Sequence, residues 1–172
     1  MAKRVNVQNN YVKLCMILVV VIVVTLIAAN LYTNARDRRI ENGYLTERVS
    51  SIEFNELQNV LLEFSGDTFL YISYTGNRDI NNLDVRLKRL LRAHELTDYF
   101  FYLNMREEIQ NNPDYLADLN EILSLTNHQI RALPAILYYR DNELLEIMDS
   151  YNQLLRSSDF SHLLEKFEII SR

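Results

Sequence analysis

The first apolar stretch of the chain has no period at all. From Leu14 to Ala35, LCMILVVVIVVTLIAANLYTNA holds 22 residues without a charge, a glycine or a proline. At about 1.5 Å rise per residue that is roughly 33 Å of helix, enough to cross the hydrocarbon of a bilayer. Tyr11 and Tyr32 bracket the run as interfacial aromatics do. A cleaved signal peptide has an apolar core of about 7–15 residues. The core from Leu14 to Ala29 is longer, so the expectation is an uncleaved signal anchor over 14–35 behind a short tail, 1–13. Lys3, Arg4 and Lys13 precede the span and Arg36, Arg38 and Arg39 follow it, so the side chains tie under the positive-inside rule. The free amine favours an inside N-terminus, with the remainder facing outward.

Beyond the span, helical and alternating periods follow one another. RDRRIENGYLTERVS (36–50) reads as a polar linker, with a turn at Asn42-Gly43 and a short first strand over 44–49. SIEFNELQNVLLEF predicts a helix capped by Ser51, with Phe54, Leu57, Leu61 and Phe64 on one face. TFLYISY (68–74) is aromatic and β-branched with apolar residues on both faces, as in the centre of a sheet. A Thr-Gly-Asn turn leads into a helix whose Leu83, Leu87, Leu90, Leu91 and His94 share a face, with Arg86, Lys88, Arg89 and Arg92 elsewhere. DYFFYLNM (98–105) is a second central strand. NPDYLADLNEILSL is a helix with Pro113 in its first turn and Leu116, Leu119, Ile122 and Leu123 inward. LPAILYYRDNELLEIMDS is a hairpin, 135–140 and 143–149, around Asp141-Asn142, and SSDFSHLLEKFEII is a helix facing in through Phe160, Leu163, Leu164 and Phe167. Strand-helix-strand requires a right-handed parallel crossover and the hairpin adds antiparallel strands. The class is an α/β sandwich with a mixed sheet.

Charge and cysteine content narrow the chemistry. Without the basic N-terminal flank the remaining domain is acidic, so no nucleic-acid partner is expected. The only cysteine, Cys15, lies at the edge of the span, leaving the domain without thiols and the chain without an internal disulfide.

The order of elements, with ALPAILYYRDNELLE opening the hairpin, resembles the thioredoxin fold over about residues 50–170. More narrowly, FLYISYTGNRDINNLDVRL is similar to the strand, turn and helix of small thioredoxin-like proteins of low-GC Gram-positive bacteria. Among these is the bacteriocin-transport accessory group, in which a Tyr- and Ile-rich strand runs into Cys-x-x-Cys. The resemblance implies a three-layer sandwich over 51–172 behind a single transmembrane helix. It places Asn77 and Ile80 at the two cysteine positions and Pro134 at a cis-proline facing the turn. The departures are the missing cysteines, the missing tryptophan before them and a total of three glycines.

Thiol exchange needs an attacking thiolate and a resolving thiol, which Asn77 and Ile80 cannot supply. His94, His128 and His162 lie on separate elements; His94 reads as a core or boundary residue, and an acid–base or metal role for His128 with Asp79 has no second ligand at recognised spacing. No metal site, cofactor or catalytic residue is expected. The resemblance leaves a peptide groove lined by Tyr74, Thr75, Gly76, Asn77, Arg78, Ile80, Leu133 and Pro134, served by strand addition. The resulting expectation is a redox-inactive, non-enzymatic module. It would hold a peptide or protein partner at the bacterial cell membrane, single-pass with an extracytoplasmic domain, in association with bacteriocin or peptide export. Two alternatives stay open: a structural subunit whose span makes the main contact, and an enzyme of unrecognised type.

Overall fold

The computed structural model describes residues 2–42, 44–45, 48–126 and 128–170, the side chains of 2–10 and 36–42 excepted. Two compact units result, Met1–Arg39 and Ile40–Arg172.

The first unit belongs to one helix, α1 (Ala2–Asn42). Within it Tyr11–Ala35, 25 residues with a mean hydropathy of 3.0, is a candidate transmembrane segment. Several of its polar side chains bond within the helix, as suits a lipid environment. Thr25 donates to the Val21 carbonyl (2.8 Å), Thr33 to that of Ala29 (3.1 Å), and the Asn34 amide to Asn30 Oδ1 (2.8 Å). The helix runs on through Asn42 into the stretch read as linker, because no helix breaker occurs before Gly43. The Asn42-Gly43 turn and part of the strand expected over 44–49 lie outside the described residues.

The second unit is built on a five-stranded sheet of order β1-β3-β2-β4-β5. Its strands are β1 (Ser50–Ile52), β2 (Asp67–Ser73), β3 (Phe100–Asn104), β4 (Ala135–Arg140) and β5 (Glu143–Asp149). β1, β3 and β2 are parallel, while β4 and β5 add antiparallel on the far side of β2. This is the mixed sheet that the pattern predicts. The hairpin turns through Asp141 and Asn142, both at positive φ, as a two-residue loop between twisted strands requires.

β2 occupies the centre and is buried on both faces. Its period of two sends Phe69 and Tyr71 to one core and Leu70 and Ile72 to the other. The first core is closed by α3 (Arg78–Ala93), through Leu83, Leu87 and Leu91, and by α6 (Ser157–Lys166), through Phe160, Leu163 and Leu164. Phe69 stacks on Tyr138 and meets the edge of Phe160, both at 5.1 Å between centroids. The second core is closed by Leu57 of α2 (Leu57–Leu61), Phe64, and Leu119 of α5 (Tyr115–Ile122). Three layers follow directly.

Several local expectations are corrected. Ser51 pairs with Tyr102 in β1 instead of capping a helix, so the helix expected over 51–64 shrinks to a 3-10 turn (Phe54–Glu56) and α2. Packing of β1 against β3 outweighs the helical spacing of Phe54, Leu57 and Leu61. Pro113 precedes the Asp114 cap of α5 rather than standing in its first turn, and the short helix α4 (Arg106–Asn111) had no clear apolar period. His94 is the exposed C-cap of α3, because the leucine stripe ends at Leu91 and the chain leaves through Glu95 at positive φ.

One core residue runs against its type. Asp84, on the inward face of α3, is 1% exposed and accepts a 2.7 Å hydrogen bond from the Tyr71 hydroxyl. The Tyr102 hydroxyl and Ser73 Oγ are also buried, without partners among the described residues. Burial pushes the Asp84 carboxyl up to about 6, against the pull of the Tyr71 bond, and raises both tyrosines. The fold therefore binds this proton more tightly than the unfolded chain does. The stabilising contribution of the neutral acid is complete below about pH 4 and is lost as the pH rises through 6. Its size is on the order of 3 kcal/mol. Asp84→Asn, which keeps an acceptor for Tyr71, is expected to raise stability at pH 8 by about 2 kcal/mol and to flatten its pH dependence between 4 and 7. Urea unfolding across that range checks it; a slope unchanged from the parent would assign the titration elsewhere.

Candidate functional site

β2 and α3 are joined by Tyr74-Thr75-Gly76-Asn77 at the carboxyl end of the central strand. Gly76 has φ +100°, and a Cβ there would meet nothing within 4 Å. The glycine is needed for its backbone conformation, not for space. Asn77 is extended and caps the helix: its Oδ1 accepts from the N–H groups of Asp79 (2.8 Å) and Ile80 (3.4 Å). Asp79 in the first turn faces the positive end of the helix dipole.

Two other segments hold this turn. On one side the Met105 N–H donates to the Ser73 carbonyl (2.7 Å), carrying the β2–β3 ladder past its end. Asn104 Oδ1 accepts from the Arg106 N–H (3.2 Å) at the start of α4, and Arg106 Nη1 lies 3.5 Å from Thr75 Oγ1. On the other side Ile72 pairs with Ala135. Continuing that register sets Ser73 opposite Pro134 and Tyr74 opposite Leu133. The Leu133–Pro134 peptide is cis. Ser150 ties this loop down: its hydroxyl donates to the Pro134 carbonyl (2.7 Å) and accepts from the Leu155 N–H (3.2 Å), while its N–H donates to Ala132 (3.4 Å). Among the described residues the Leu133 N–H and C=O make no hydrogen bond.

The register thus brings Tyr74 and its turn to the 133–134 loop, but not as an open trough of side chains. Thr75, Ile80, Leu133 and Pro134 are buried and Tyr74 is half-buried; only Gly76, Asn77 and Arg78 are exposed. Ile80 faces inward because it stands on the same helical face as Leu83 and Leu87. Tyr74 packs on the second core beside Tyr115, whose hydroxyl is raised by burial and by Tyr74. A ligand here would meet backbone groups and the side chains of Asn77, Arg78 and half-buried Tyr74. Arg106, Asn104 and Ser150, which hold the site, escaped sequence reasoning because their partners lie far along the chain; Asn104 alone carried a signal, as an Asx residue just before a helix.

His128 is exposed in a cleft along the outer edge of β5, with Gln129, Arg131, Leu144 and Glu146, next to the Arg131–Asp149 ion pair (3.7 Å). Asp79 does not line that cleft. Among the described residues no three His, Cys, Asp or Glu side chains are grouped to hold a metal ion.

The domain has a thioredoxin-like α/β fold. It is similar to thioredoxin f2 of Chlamydomonas reinhardtii, with a TM-score of 0.52 and 11% identity over 72% of this chain and 99% of that one. Mitochondrial thioredoxin 3 of Saccharomyces cerevisiae matches with a TM-score of 0.42 and 14% identity over 62% of this chain and 86% of that one. No family model matches the sequence, and no curated protein matches it. With Cys15 as the single cysteine, no Cys-x-x-Cys exists in this chain.

Asn77 is a structural cap of α3. Asn77→Ala is expected to destabilise the domain by about 1 kcal/mol, while Asn77→Asp, which keeps the acceptor and suits the dipole, leaves it within about 0.5 kcal/mol of the parent. Denaturation midpoints of the two variants decide this. Equal losses would mean that the cap contributes little.

Proposed function

We propose that this chain is a membrane-anchored, thioredoxin-like binding module without redox or other enzymatic activity. In this reading it holds an extended peptide or protein partner at the outer face of a bacterial membrane. One observation carries the reading. An Asn cap and a buried Ile occupy the positions at which the resemblance places a dithiol, while among the described residues the backbone groups of Leu133, near the same turn, have no partner. Unsatisfied N–H and C=O groups at a sheet end favour strand addition, with main-chain bonds giving affinity. Asn77 and Arg78 would then select among partners by side chain. The link to bacteriocin or peptide export rests on the resemblance of FLYISYTGNRDINNLDVRL to that accessory group. Anchoring rests on the length and hydropathy of Tyr11–Ala35.

A second reading, a structural subunit held through its span, has one observation in its favour. Asn30 and Asn34 lie one turn apart on the candidate span, and such amides can also bond across membrane helices.

In intact cells, outside protease is expected to remove the domain, and a photo-crosslinker at position 77 is expected to capture one discrete protein. Adding Arg78→Glu should reduce that capture at least several-fold. Protection from protease would put the domain in the cytoplasm and end the export-side reading. Capture that survives Arg78→Glu, but is lost when the span is replaced by an unrelated apolar helix, would favour the structural subunit.

A further inference from the structure

The helix that follows the turn has an outward face of one charge. At about 100° per residue, Arg78, Asn82, Arg86, Arg89 and Arg92 fall within an arc of about 120°, opposite Ile80, Leu83, Leu87 and Leu91. All five are exposed. Among the described residues none of the four arginines is in an ion pair. Lys88 points elsewhere and donates to the Tyr44 carbonyl (3.1 Å).

This face stands out against the rest of the domain. Residues 51–172 contain eleven Lys or Arg against twenty Asp or Glu, and five of those eleven lie on α3. A domain that is acidic overall thus gathers nearly half its cations on one helix. Four unpaired guanidinium groups repel one another, a cost that an anionic surface would relieve. The face lacks what a specific protein interface places at its centre. It has no aromatic or methionine anchor, and only half-buried Val85 and the small Ala93 interrupt its polar residues. A charged surface without an apolar centre suits a salt-sensitive contact with a plane of anionic headgroups, to which clustered basic residues are drawn. The candidate span joins the domain covalently to such a plane, which raises the effective concentration of the contact. Arg36, Arg38 and Arg39 follow the span directly and add to the same attraction.

We propose that the outward face of α3, through Arg78, Arg86, Arg89 and Arg92, docks on the anionic lipid surface of the membrane that holds the chain. This rests on the reading of Tyr11–Ala35 as an anchor. Arg78 belongs both to this face and to the end of the turn at 74–77.

The test uses the full chain in vesicles of phosphatidylcholine alone or with 30 mol% phosphatidylglycerol, a composition chosen so that the anionic component is about a third of the surface. Flotation with the vesicles comes first; a chain that does not float refutes the anchor itself and is seen before any docking is measured. A donor at Asn82→Cys, in a Cys15→Ser background, then reports energy transfer to a headgroup acceptor. Transfer is expected to rise at least twofold with phosphatidylglycerol and to fall back in 0.5 M NaCl, where screening acts within about 4 Å. Arg86→Glu with Arg89→Glu should abolish the rise, and the paired Gln variants should reduce it by about half. The three positions substituted in α3, Asn82, Arg86 and Arg89, are on its exposed side, and thermal unfolding of the variants confirms that the fold is kept. Equal transfer in both vesicle types overturns the proposal, as does a rise that survives charge reversal. Salt-sensitive capture of a poly-glutamate peptide in neutral vesicles, without any response to phosphatidylglycerol, assigns the face to an acidic protein and overturns it as well.

Discussion

The whole domain depends on burying one strand on both faces. β2 has β3 on one side and β4 on the other, and each residue from Thr68 to Ser73 is out of water. Every helix that closes the sandwich packs against side chains of this strand or its neighbours. Because Phe69 and Tyr71 go one way and Leu70 and Ile72 the other, a one-residue slip would exchange the two cores. The register against β4 is therefore as constrained as the packing. That same register delivers the end of β2, and hence its turn, opposite Leu133 and Pro134.

At that end the residues that enter α3 have structural work. Asn77 satisfies two N–H groups at the start of α3, and Ile80 joins the buried face of the helix. Arg106, Asn104 and Ser150 brace the surrounding segments through polar contacts. What faces solvent is short: a glycine, the capping asparagine and an arginine.

α3 connects these features. Its inward face completes the first core and includes the buried Asp84 at the Tyr71 hydroxyl. Its first turn forms the site, and its outward face carries the arginines. One helix thus contributes to the turn, the core and the surface.

Much of this was legible in the residue pattern, for identifiable reasons. TFLYISY, DYFFYLNM and the hairpin read as strands because their periods are strong and their ends are marked by turn residues. Observed bounds differ by only a residue or two. The leucine stripe of α3 and the apolar run ahead of the domain were equally plain. Elsewhere local spacing misled: SIEFNELQ carries helical periodicity, yet its first residues pair with β3, since a parallel neighbour is invisible in a linear pattern. Asp84 could not be recognised as a core residue, because an aspartate is tolerated there only by the hydroxyl of Tyr71, thirteen residues away on another element. The sequence alone determined the central strands, the hairpin, the long helix α3, the candidate span and the absence of a dithiol, all of which depend on residue type and near neighbours. Tertiary structure alone decided which face of each element was buried against what. It also decided that four of the eight groove residues have no exposed side chain, because burial is set by segments that meet only when the chain has folded.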